Sequence, residues 1–325
     1  MNTKLLLSSA AAACCAAIAL AVPAASSAAT TTAAASENWA GYEATNGTSD
    51  FSAVSGGWVQ PVARCTSQGP TYSAFWVGLG GGGQTSSALE QIGTQSNCTA
   101  AGKTQYFAWY ELVPQAPVKL AMAIHPGDRM YARVAVSGTD VHLTLEDHTT
   151  GASLNRALHM SRPDTSTAEW VAEAPSQCTS GMQSCTPLPL SNFGSVRFTN
   201  AYATSDGHTG SIGSWNAQPI ALAPSSGNLY SAYGYGLYGT GEPTASSANP
   251  SGAQPSSLSS SGTGFSVSYQ DVGSSQSTSG YGGGSGYGYG YGGGSPYGDG
   301  GGYGYGYGYG GGWVYGINPA EFMPY

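Results

Sequence analysis

Between Asn38 and Ala221 apolar and polar positions alternate with a period of two over short runs, and almost none keeps the 3.6-residue spacing of an amphipathic helix. The alternation predicts strands over 74–79, 106–113, 129–136, 141–147, 168–172 and 195–201. Between them stand Pro126-Gly127-Asp128, Ser137-Gly138-Thr139 and Thr149-Thr150-Gly151, which supply glycines or side-chain hydrogen bonds where the backbone reverses. The expected fold is an all-β sandwich of antiparallel strands around one core, in a domain over 36–271. A Ser/Gly/Tyr/Pro-rich stretch around 224–256 reads as a surface insertion, and the alternation returns over 263–269 as a last strand.

Both ends of the chain depart from this pattern. Lys4 precedes an apolar run from Leu5 to Val22, followed by Ala and Ser up to Ala29, so residues 1–29 read as a secretory signal peptide and the protein as extracellular. Residues 272–325 are dominated by Gly-Tyr dipeptides, whose ordering would cost more entropy than any apolar face there could offset, so this tail is expected to be disordered. No apolar stretch after residue 30 reaches the ~20 residues of a membrane span.

Two of the six cysteines, Cys14 and Cys15, fall in the leader, which leaves Cys65, Cys98, Cys178 and Cys185 for an oxidising compartment. Three pairings are formally possible; the short loop between Cys178 and Cys185 favours that pair, with Cys65 joined to Cys98. Charged residues make up only 8% of the chain, against about 25% in an average protein. With 9 Lys plus Arg, little positive charge is left uncompensated when carboxylates protonate in acid. The formal charge of -8 argues against nucleic acid as a partner.

Common catalytic spacings are missing: there is no HExxH, GxSxG or CxxC, and the five histidines lack metal-ligand spacing, so neither a metal nor another cofactor is expected. The strand Ala168-Glu169-Trp170-Val171-Ala172-Glu173 is the strongest chemical signal. Alternation puts Glu169, Val171 and Glu173 on one face and Trp170 on the other, where it can anchor the strand in the core. The plain reading is an amphipathic strand with two solvated carboxylates.

The ordered blocks Glu37-Asn38-Trp39-Ala40-Gly41, Trp76-Val77-Gly78-Leu79-Gly80, Leu89-Glu90-Gln91-Ile92-Gly93, Ala108-Trp109-Tyr110-Glu111, Ala168 to Glu173 and Phe193-Gly194-Ser195-Val196 resemble the glutamic peptidases of family G1, the eqolisins. The resemblance implies a lectin-like sandwich of two large antiparallel sheets and a secreted acid endopeptidase that acts on polypeptides with a Gln and Glu dyad.

 By the motif match the glutamine falls on Gln91 and the glutamate on Glu173, with Glu169 as supporting structure and Trp39, Trp109 and Glu111 bordering a substrate groove. A monomer is expected. Such a pair suits hydrolysis, since a carboxylate can take a proton from water and return it to the leaving amine, while an amide can hold the water and stabilise the oxyanion. One water must then touch both side chains across neighbouring strands.

This chain departs from the family pattern at Gly80, where an Asp is usual, and at Glu90, where an apolar residue is usual. Burial of Glu90 on the face opposite Gln91 would force it to take up a proton. Two other readings compete: a lectin-like carbohydrate binder, and a surface-structural protein that works through its tail. A glycosidase built on Glu169 and Glu173 is disfavoured, because residues four apart on a strand are ~13 Å apart by rise. The peptidase reading predicts that a chain ending at Asp271 still degrades unfolded casein at about pH 3 to 4, where an ordinary glutamate titrates. Loss of all function on that truncation would favour the tail.

Overall fold

The computed structural model describes residues 1, 32–82, 86, 88–178, 185–223 and 251–271. The expected leader beyond Met1, the Gly/Tyr tail and most of the expected insertion lie outside these residues.

The chain forms a 16-stranded sheet that includes β2 (Trp39–Thr45), β3 (Phe51–Val59), β4 (Ala74–Gly80), β5 (Leu89–Cys98) and β6 (Thr104–Val113). It continues with β7 (Val118–Leu120), β8 (Arg129–Ser137), β9 (Asp140–Asp147), β10 (Ala152–His159) and β11 (Ala168–Glu173). Later come β14 (Ser195–Ser205), β15 (His208–Ser211), β16 (Asn216–Leu222), β17 (Ser251–Pro255) and β18 (Phe265–Asp271). Each of the six strands expected from alternation is present, and β17 falls inside the stretch read as an insertion.

One half of the sheet runs β10-β9-β8-β3-β14, the other β16-β2-β11-β4-β5-β6-β7, and β18-β17 joins them. The ladders are antiparallel, except that β1 (Ala34–Ser36) runs parallel to β16. The halves pack face to face, as two side chains that cross the interior demonstrate. The Trp170 indole on β11 donates to the Ser55 carbonyl on β3 at 2.8 Å, and the Trp58 indole on β3 donates to Thr94 on β5 at 3.1 Å. Around them Phe75, Val77, Leu79, Val134, Leu143, Leu145, Phe198 and Val267 are buried in one apolar cluster. These are the inward positions of a period-two pattern, and their removal from water is the main force holding the halves together.

A disulfide joins Cys65 to Cys98 at the far end of β5. In a separate two-stranded ladder, β12 (Ser176–Cys178) pairs with β13 (Cys185–Pro187), which sets Cys178 opposite Cys185, and Cys185 is disulfide-bonded. Among the described residues no helix is long and apolar enough to cross a membrane.

Trp170 is fully buried, so Trp170→Ala leaves a cavity and an unpartnered Ser55 carbonyl. It should lower unfolding stability by about 3–5 kcal/mol in a denaturant titration followed by tryptophan fluorescence.

Candidate active site

Register aligns side chains from five strands on one face of the β2-β11-β4-β5-β6 half. Glu43, Glu169, Gly78, Gln91 and Glu111 form one row, and Gly41, Val171, Trp76, Gly93 and Trp109 form the next. A third row holds Trp39, Glu173, Ala74, Gln95 and Phe107. The apolar members of this face pack as a second cluster, separate from the sandwich interior. A polar row beside an aromatic one gives a carboxyl group a water-poor wall, which strengthens its interactions.

Gln91 and Glu173 share this face, but β4 stands between their strands, so they are not cross-strand neighbours. Gln91 is level with Glu169, and Glu173 is level with Gln95. What occupies the space over Gly78 decides which glutamate is separated from Gln91. A Cβ at Gly78 would lie 3.0 Å from both a Leu89 methyl and the Trp76 ring, so these two side chains cover the gap between Gln91 and Glu169. From there the Trp76 indole reaches the other way, and its Nε1 donates to Glu173 Oε2 at 2.7 Å.

Glu173 is buried, and its second oxygen accepts from Asn38 Nδ2 at 3.3 Å. Burial pushes its carboxyl up to about 7, although the Trp76 and Asn38 donors and, outside hydrogen-bonding geometry, the Trp39 indole favour the charged form. Gln91 Nε2 donates to Glu111 Oε2 at 2.7 Å. That bond leaves Gln91 Oε1 and Glu111 Oε1 as buried oxygens without a protein partner. Burial raises Glu111 well above the usual carboxylate range, and the charge of Glu173 raises it further. Gln91, Glu111 and Glu173 therefore form an electrostatically linked group.

The two aromatic residues implied to border the groove lie on the same face. Trp39 packs edge-on against Trp76 with ring centroids 5.0 Å apart, and the indole N–H groups of Trp39 and Trp109 have no protein acceptor. Sequence reasoning passed over Asn38 and Trp76 as functional residues. Both stand in the quoted blocks, and Trp76 shares the face of Gly78 by alternation, but only the side-chain directions reveal that they grip Glu173.

Beyond Gly78 lies a second carboxyl group cluster. Glu169 is fully buried, and burial followed by the charge of Glu43 raises it well above the usual range, with the Thr167 hydroxyl only partly offsetting this. Burial also pushes Glu43 up to about 7 and Glu90 up to about 8. Glu90 Oε1 accepts from the Asp164 amide at 3.2 Å while Oε2 has no partner, an environment that favours the protonated form. The departure at Gly80 also has a structural reason. Gly80 has φ +82, and a Cβ there would meet the Asp164 carbonyl at 2.5 Å and its Cβ at 2.7 Å. Asp164, hydrogen-bonded to Ser86, thus occupies the space that a side chain at 80 would need.

Residues 37–234 match the Peptidase A4 family. The chain belongs to that family. It is 32% identical over 169 residues to Aspergillopepsin-2 of Aspergillus niger, a match that spans 50% of this chain and 56% of the relative, just over half its length. Its fold is similar to that of scytalido-glutamic peptidase solved with a transition state analog inhibitor, at 25% identity and TM-score 0.55. That likeness covers 72% of this chain and 98% of the peptidase. It is also similar to SCP-B, a member of the eqolisin family solved with the tripeptide Ala-Ile-His, at 26% identity, TM-score 0.51 and the same coverage of 72% and 98%. Among the described residues no group of three or more His, Cys, Asp or Glu is placed to hold a metal ion.

The raised carboxyls of this family member set the sign of its pH dependence. Below the ordinary value of 4.5 they are protonated in both folded and unfolded chains and cost nothing. As pH rises from 4.5 the unfolded chain ionises while the folded one holds its protons, so stability is lost until the folded groups ionise in turn at about 7 to about 8. The melting temperature should fall by more than about 5 °C between about pH 4 and pH 8, and Glu90→Gln should flatten the slope in calorimetry.

Proposed function

We propose that this chain is a secreted endopeptidase in which Glu173 and Gln91 act on a water molecule between them. The observation that carries the reading is the Gln91–Glu111 hydrogen bond, which fixes the amide and leaves its Oε1 free on the face that also holds Glu173. Gln91 Oε1 accepts one hydrogen of the attacking water, and the ionised Glu173 takes the other proton as the water oxygen bonds to the peptide carbonyl carbon. The second Nε2 hydrogen of Gln91 stabilises the oxyanion. Glu173 then returns its proton to the amide nitrogen as the carbon–nitrogen bond breaks, which leaves a carboxyl and an amine and restores the site.

Ordinary glutamate chemistry would place the working range near pH 4, whereas burial holds Glu173 at about 7. Hydrogen bonds from water and substrate to this carboxylate favour its charged form and move the range back toward acid. On the alkaline side Glu111 must stay protonated, because a second charge beside Glu173 would oppose the oxyanion. The two carboxyls titrate as a pair, so kcat/KM should follow a bell that collapses above neutrality. Polypeptides are the substrates of this reading, and the disulfide between Cys65 and Cys98 suits an exported protein.

Glu173→Gln and Gln91→Ala should each reduce cleavage of denatured casein by at least about 10²-fold, at a temperature where circular dichroism shows each variant folded. Activity retained in either variant, or a flat pH profile through neutrality, would remove the dyad from the mechanism.

A further inference from the structure

The opposite half of the sandwich carries a groove of about 380 Å³ on its outer face, lined by Ala53, Ser55, Tyr131, Arg133, Tyr202 and Thr204 among others. Its shape follows from side-chain size. The short side chains of Ala53 and Ser55 on β3 make the floor, while longer ones on the flanking strands β8 and β14 make the walls. A bulge in β14 sets one wall. Gly57 pairs with Thr199 but Ser55 pairs with Tyr202, so β14 has one extra residue there, and Asn200 adopts φ 50. The shift lets Ala201 and Ala203 point into the core and turns Tyr202, 36% exposed, to the groove. On the other wall the Tyr131 ring is held by stacking on His148, with centroids 6.0 Å apart.

Arg133 is exposed at this groove and is the only charged one among the described residues that line it. It forms no ion pair among the described residues. The carboxylates on the same face of β9 already lie beside histidines, Glu146 at 2.9 Å from His148 and Asp140 at 4.0 Å from His159. The groove thus offers an unpaired guanidinium between two tyrosines, with the hydroxyls of Ser55, Thr204 and Thr209 around them. The backbone of β3 is already paired on both sides, so an extended peptide cannot add to it as a strand. Recognition must come from rings, hydroxyls and one cation.

We propose that this groove binds a uronic-acid-bearing polysaccharide, with sugar rings against Tyr131 and Tyr202 and a uronate carboxylate on Arg133. The site is remote in the fold from the Gln91 face and does not depend on the peptidase reading. Tethering would hold the protein on an acidic matrix.

Affinity gel electrophoresis of the full chain through soluble polygalacturonate at about pH 7, where uronates are ionised and the chain's charge of -8 drives migration, tests this. Retardation is expected, with none in dextran, and Arg133→Ala and Tyr202→Ala should each weaken it about tenfold or more. Arg133→Lys should recover only part of the binding, since an ammonium cannot form the bidentate pair. An unchanged circular dichroism spectrum and melting temperature for each variant would show that it folds. Binding that persists in both alanine variants would overturn the proposal. So would equal, Arg133-dependent retardation by poly-glutamate, which would make the occupant an acidic polypeptide.

Discussion

The hydrogen bond from the Trp76 indole to Glu173 organises the face that carries Gln91, Glu111 and Glu173. It crosses from β4 to β11 and requires the indole to lie flat along the sheet, which is feasible because Gly78, two residues on, has no side chain to lift it. The same ring then walls Gln91 off from Glu169, although register puts those two level. A single aromatic side chain therefore separates the carboxyl groups of one face into two environments. Glu173 keeps two good donors, whereas Glu169 keeps none of comparable geometry.

Low charge and a buried acidic face are linked consequences of one constraint. A carboxyl removed from water must find donors, find a cation or hold its proton. With 9 Lys plus Arg in the whole chain, cations are scarce, and burial pushes Glu43, Glu90, Glu111 and Glu169 toward the third course. A neutral carboxyl is also a donor, which makes Glu111 compatible with the negative charge that the proposed chemistry places on Glu173. Stability and the proposed chemistry thus draw on the same protonation equilibrium.

The exchange between Gly80 and Asp164 illustrates how a fold can keep a carboxyl near one place while moving it along the chain. Position 80 departs from the family pattern, yet Asp164 from the approach to β11 fills the volume a side chain there would take. Its contacts with Ser86 and Glu90 tie that approach to β5.

Alternation alone determined that the domain is built of antiparallel strands, because a period of two is a local property and each of the six strands it predicts is present. It also put Glu169 and Glu173 on the face opposite Trp170, and the ordered blocks pointed to the family. Tertiary structure decided the rest. That β4 lies between Gln91 and Glu173, that Glu111 holds the amide, and that Trp76 and Asn38 hold the carboxylate all depend on strand order and side-chain direction. Strand order is set by contacts between residues far apart in sequence, and side-chain direction by packing against those residues, so neither leaves a signature in local spacing.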